Sequence, residues 1–179
     1  MVLNIFCWNV RGIMSSAYPL SHMLDKFTID IALITEHKLL PRSANFLDSI
    51  HPSFTSILTI DESIDQYSMQ TCGKAGTAIL YRKSLESSID QIGSILNDRI
   101  IGIEVKVEHR LPLYIFCIYM PSDNDIVMFK NTLGDIESLL MHYTQLGSVV
   151  LAGDFNARLH TPYNANLPLT QKSDILNSF

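Results

Sequence analysis

The sequence predicts an α/β fold, because stretches of two different periods alternate along it. Continuous apolar runs of strand length at residues 31–35, 113–118 and 149–152 suit strands covered on both faces. Between them lie segments whose apolar residues recur at helical spacing, the longest at residues 125–143. A hydrophobic fraction of 47% against 17% charged residues excludes disorder and describes a chain with a sizeable core. Its 179 residues suit one domain, and no internal repeat, low-complexity tract or linker divides residues 1–179.

The elements follow in order. Residues 4–12 read as a short strand with Asn9 near its end and Gly12 supplying the turn. A first helix is expected at 19–27, beginning at Pro19, from the helical spacing of Leu20, Met23, Leu24 and Phe27, and residues 31–37 form a strand that ends in Glu36. A second helix is expected at 42–50 from Phe46, Leu47 and Ile50. Strands at 53–60 and 77–81 flank a polar loop, 61–74. Further strands are expected at 87–92, 99–107 and 111–119, the last two joined in a hairpin by Glu108-His109-Arg110. Pro121 stops the last of these, which ends in Tyr119. In the helix at 125–143, Val127, Phe129, Leu133, Ile136, Leu139, Leu140 and Tyr143 fall roughly on one stripe. The run at 149–152 then leads into Gly153-Asp154-Phe155-Asn156, and Ser173 reads as the N-cap of a final helix carrying Ile175, Leu176 and Phe179.

Four strands thus finish in polar residues: Asn9, Glu36, Tyr119, and the pair Asp154 and Asn156. Gly-Asp after a strand is also ordinary turn chemistry. A carboxylate placed where a buried strand emerges needs a partner, and a hard divalent cation takes carboxylate oxygens. Asp154 and Asn156, two residues apart at the mouth of a buried strand, are expected to point the same way, one an anionic acceptor and the other a neutral amide donor. In layered sheet proteins, strand ends are where ligands bind.

Trp8-Asn9-Val10-Arg11-Gly12, Leu33-Ile34-Thr35-Glu36, Tyr119-Met120-Pro121 and Gly153-Asp154-Phe155-Asn156, in this order, resemble the endonuclease/exonuclease/phosphatase superfamily. Lys74-Ala75-Gly76-Thr77-Ala78-Ile79-Leu80 is most similar to the endonuclease domains of non-LTR retrotransposons and their domesticated relatives. The resemblance covers residues 2 to about 160. It implies a two-layer β-sandwich flanked by helices, the four-layer αββα arrangement of DNase I-like proteins. It implies Mg²⁺- or Mn²⁺-dependent phosphodiester hydrolysis, with DNA as substrate. Residue by residue, Glu36 matches the family's principal metal-binding carboxylate and Asn9 the amide that helps arrange the metal site. Tyr119 matches a phenol beside the scissile phosphate. Asp154 matches the acid that orients or deprotonates the attacking water, and Asn156 an amide that holds the phosphate.

The family's pattern also has a C-terminal Asp and a Ser-Asp-His type motif, whereas here Ser173-Asp174 is followed by Ile175 and the sequence stops at Phe179. The expectation is a C-terminally incomplete domain, a second sheet short of strands, and weak or absent activity. Two alternatives stay open beside the nuclease: a catalytically inactive relic or interaction module, and a phosphoinositide or nucleotide phosphatase. A net charge of −5, from 13 Lys and Arg against 18 Asp and Glu, gives no basic patch and argues mildly against a stand-alone DNA-binding module. It leaves room for a nuclease that meets phosphate through a metal. Cys7, Cys72 and Cys117 have no metal-binding spacing and read as buried thiols of an intracellular protein. No apolar stretch reaches transmembrane length, and nothing separates nucleus from cytosol. His160, four residues after Asn156, is a distant candidate for the site, and His37 is expected to point away from it.

Overall fold

The computed structural model describes residues 2–60, 69, 71–92, 99–122, 125–157 and 171–178. β1 (Ile5–Asn9), β2 (Ile31–Thr35), β3 (Phe54–Leu58) and β4 (Thr77–Arg82) form one sheet in the order β1-β2-β4-β3. β5 (Ile89–Ile92), β6 (Ile100–Val105), β7 (Leu113–Tyr119) and β8 (Ser148–Asp154) form a second, in the order β5-β6-β7-β8. Each sheet contains one parallel pair, β1 with β2 and β7 with β8, and its other pairs are antiparallel. A parallel pair needs a crossover, and helices supply both: α1 (Ile13–Lys26) between β1 and β2, α2 (Ile126–Tyr143) between β7 and β8.

Strand alternation sorts the apolar residues into layers. Ile31 and Leu33 of β2, Ile79 of β4, Ile101 and Ile103 of β6, and Ile115 and Cys117 of β7 pack together between the sheets. Their strand neighbours Ala32, Ile34 and Leu80 face outward onto Leu20 and Leu24 of α1. Tyr114, Phe116 and Ile118 face outward onto Phe129, Leu133 and Ile136 of α2. The order helix, sheet, sheet, helix is therefore a four-layer αββα sandwich. It explains why the central runs read as continuously apolar: each residue has a layer to bury into, whichever face it takes. The Cys117 thiol crosses the inner layer to the Ile34 carbonyl at 3.5 Å.

Several elements differ from expectation. α1 begins at Ile13, not at Pro19, which lies inside the helix. Pro19 is exposed, and so is Ser15, whose carbonyl loses its usual donor. The segment Pro41–Ser49 is 3₁₀ rather than α-helical, broken at Ser43 with φ −116°. Residues 83–88, partly assigned to a strand from sequence, form a 3₁₀ turn, Lys83–Ser88. Ser173 lies inside α3 (Gln171–Ser178) and is fully buried, so it is not that helix's cap. Cys7 and Cys72 are exposed and only Cys117 is buried, Cys7 because β1 is an edge strand. Asp125 caps α2, its carboxylate accepting from Met128 N at 2.8 Å. His160, Phe179 and most of the 61–74 loop lie outside the described residues. Among the described residues no helix is long and apolar enough to cross a membrane.

Candidate active site

In a parallel pair the C-terminal ends of both strands lie side by side. Asn9 ends β1 beside Thr35, the last residue of β2, and Tyr119 ends β7 beside Asp154, the last residue of β8. Each sheet therefore brings one βαβ mouth to the site. Glu36 follows β2 directly, with its backbone in the left-handed region at φ 55°. Arg11, Lys38 and Asn156 share that conformation, with φ of 49°, 56° and 47°. Such backbone is uncommon for residues with side chains and costs of order 1–3 kcal/mol each, so its concentration at one place fits a functional site.

Asn9 joins the two mouths. Its Nδ2 donates to Glu36 Oε1 at 2.8 Å and to Asp154 Oδ2 at 2.6 Å. Its Oδ1 accepts from Arg11 N at 3.1 Å, which fixes the end of the amide that faces the carboxylates. Asn9 thus stands as a donor that gathers two carboxylates, with its oxygen turned away from them. The Tyr119 hydroxyl donates to Glu36 Oε1 at 3.2 Å and lies 3.4 Å from Ser122 Oγ. Lys38 Nζ pairs with Glu36 Oε2 at 3.2 Å. Asp154 Oδ1 accepts from Asn156 N at 3.0 Å, and Asn156 Nδ2 donates to the Met120 carbonyl at 2.7 Å.

The electrostatics follow from these contacts. Burial pushes the Glu36 carboxyl up, but hydrogen bonds from Asn9, Lys38 and Tyr119 and the Lys38 charge outweigh it, leaving Glu36 below its ordinary value of 4.5. Glu36 is therefore an anion at neutral pH. Burial raises the Tyr119 phenol, opposed by the Ser122 hydrogen bond and reinforced by the Glu36 charge, so Tyr119 keeps its proton and acts as a donor.

The five residues singled out from sequence come together here. Lys38 and Ser122 were missed. Lys38 stands two residues beyond Glu36, a spacing that places side chains together in a strand, but the backbone there has left the strand. Ser122 carried no sequence signal of its own. His37 is buried and turned from the site, with Nε2 on the Thr59 carbonyl at 2.9 Å and Nδ1 accepting from Leu39 N at 3.0 Å.

The chain belongs to the Endonuclease/Exonuclease/phosphatase family, which it matches over residues 6–174. The catalytic domain of Xenopus laevis APE2 superposes with a TM-score of 0.71 at 16% identity, over 98% of this chain and 67% of that one. The endonuclease domain of TRAS1, a telomere-specific non-LTR retrotransposon, gives 0.66 at 15% identity, over 99% and 68%. D. rerio TDP2 in complex with a single-strand DNA product gives 0.63 at 19% identity, over 94% and 66%. The chain spans about two thirds of the length of these structures. At such identities the likeness establishes the DNase I-like fold. No curated protein matches the sequence.

Members of this family are generally dependent on a divalent metal. The residues here suit a hard cation, since Glu36 and Asp154 offer anionic oxygens gathered on one amide. Among the described residues no third His, Cys, Asp or Glu completes a metal-binding cluster.

Proposed function

We propose that this chain is a divalent-metal-dependent phosphodiesterase acting on a DNA strand, of the retroelement endonuclease type. The observation that carries it is the pair of bonds from Asn9 Nδ2 to Glu36 Oε1 and Asp154 Oδ2, 2.8 and 2.6 Å long, which unite carboxylates from two sheets. The nucleic-acid assignment is supported by the TRAS1 domain being an endonuclease and by the DNA product bound to TDP2.

Glu36 would hold the metal, ordered by Asn9, and Asp154 stands on the other side of the same amide. When bound, Mg²⁺ or Mn²⁺ supplies positive charge to the phosphate oxygens. Asp154, fixed through both oxygens, orients the attacking water and takes its proton. Tyr119 donates its phenolic proton toward the phosphate. Asn156 keeps one N–H on Met120, and its second remains for a phosphate oxygen. With two carboxylates, the site should bind metal weakly without substrate and turn over slowly.

A plasmid-nicking assay in Mg²⁺ and Mn²⁺ tests this. Slow, metal-dependent nicking that disappears in Asp154→Ala and in Glu36→Gln is expected. Nicking unchanged by either substitution would assign the activity to something else. A chain that binds Mn²⁺ through Glu36 yet never nicks DNA would leave a non-catalytic member of the family.

A further inference from the structure

α3 reaches this end of the molecule through a buried lysine. Lys172 is 6% exposed, its Nζ donates to the Pro121 carbonyl at 2.7 Å, and it stands 5.4 Å from the ring centre of Phe129 on α2. Burying an ammonium is costly unless its protons meet acceptors, so a lysine in this place serves particular oxygens. One such oxygen lies on the segment leaving β7, two residues after Tyr119 and one before Ser122. One carbonyl earlier, Met120 O accepts from Asn156 Nδ2 at 2.7 Å, while Met120 N donates to Asp154 O at 2.8 Å. Two side chains from beyond β8 therefore hold successive carbonyls of the segment that carries the phenol. Docking of α3 as such has other agents, since Ile175 and Leu176 pack on the outer core around α2.

We propose that Lys172 is a positioning residue, which holds the Pro121 carbonyl and so sets Tyr119 and Ser122 against Glu36. Its consequence for catalysis rests on the phosphodiesterase reading, but the positioning does not. Beyond β7 the ladder continues for one bond, Met120 N to Asp154 O, and Pro121 has no N–H to extend it, while the Tyr119 hydroxyl lies 3.2 Å from Glu36 Oε1. A shift of an ångström there breaks that contact.

The test uses the full chain with ¹³C-labelled tyrosine rings, the Tyr119 signal being assigned with Tyr119→Phe. Lys172→Met keeps the apolar stem against Phe129 and removes the donor. The Tyr119 signal should move and broaden in this variant while circular dichroism shows a folded chain. Leu176→Ala trims the packing of α3 without touching Pro121 and should leave the signal in place. If Lys172→Met fails to fold, Lys172→Gln, whose amide is too short to reach the carbonyl, gives the same reading. An unmoved Tyr119 signal in a folded Lys172 variant, or an equal displacement by Leu176→Ala, overturns the proposal. Added Mn²⁺ is a separate arm. Wild type without paramagnetic broadening at Tyr119 counts against the metal reading alone, and the metal-free comparison still decides on Lys172.

Discussion

The two βαβ units, β1-α1-β2 and β7-α2-β8, do the same job with different means. Both deliver a carboxylate to the same amide, yet Glu36 lies one residue past its strand and Asp154 is the last residue within its own. The Glu36 carboxylate is held by side chains, those of Asn9, Tyr119 and Lys38. Asp154 is held by Asn9 on one oxygen and by the backbone N–H of Asn156 on the other. The helices differ in parallel fashion: at α1 the cap position is Gly12, which offers no capping side chain, and α2 is capped by Asp125. The first unit is therefore tuned by charge and titration, and the second by shape. That division predicts where each will fail.

The largest effect belongs to the second unit. Gly153 has φ 152° and sits opposite Ile118 in the β7–β8 ladder, where an added Cβ would overlap the Ile118 carbonyl. That atom is backbone and has no means of moving aside. Gly153→Ala should cost about 3 kcal/mol or more, read from urea unfolding, and displace Asp154. A variant within about 0.5 kcal/mol of wild type would show that the second unit is not fitted as tightly as argued.

In the first unit the comparable sensitivity is to pH. His37 is 1% exposed, and its neutral ring satisfies both neighbours as a donor from Nε2 and an acceptor at Nδ1. Protonation would set an N–H at Nδ1 against the Leu39 N–H. Burial lowers its value to about 4 from the ordinary 6.5, partly opposed by its backbone hydrogen bonds. Because the unfolded chain takes up the proton first, this stabilisation is complete above pH 6.5 and is lost as pH falls to about 4. The difference amounts to about 3 kcal/mol. Glu36 is depressed below 4.5, so its own contribution disappears only at lower pH. Urea midpoints measured from pH 7.5 to 4 should fall through that interval, and a flat profile would contradict the assignment of His37.

What the sequence disclosed divides along the same line. The layered α/β architecture and the four strand ends were legible because burial on two faces forces long apolar runs, and a polar residue closing such a run has few reasons to be there. Asn9, Glu36, Tyr119, Asp154 and Asn156 all carried that signal. The contributions of Lys38, Ser122 and Lys172 were not legible, since each depends on a left-handed turn or on a contact across the fold. The start of α1 was hidden for a local reason. Gly12 supplies no capping side chain, and Pro19 looks like a beginning when it is in fact interior.

Metal binding asks which unit dominates. Glu36→Gln should abolish calorimetric Mn²⁺ binding. Asn9→Ala, which frees both carboxylates from their common donor, should weaken it roughly tenfold. Asn156→Ala disturbs only the Asp154 side and should change it less. Equal losses from Asn9→Ala and Asn156→Ala would mean that the second unit holds the ion as firmly as the first.

Lys38→Met is the smallest change and the one that separates charge from shape most cleanly. Lys38 is 34% exposed and meets Glu36 Oε2 at 3.2 Å, a partly solvated pair of the kind worth less than about 1 kcal/mol. Its loss should lower stability by that little at neutral pH and by nothing once Glu36 is protonated. The Glu36 carboxyl should rise, because burial then acts against the hydrogen bonds of Asn9 and Tyr119 without the hydrogen bond and charge of Lys38 to help them. Mn²⁺ should then bind slightly more tightly, since an ammonium no longer competes for Oε2. Carboxyl ¹³C titration reads the first effect and calorimetry the second. If Mn²⁺ binding weakened instead, Lys38 would be holding Glu36 in its metal-ready rotamer, and the first unit would depend on shape as much as the second does.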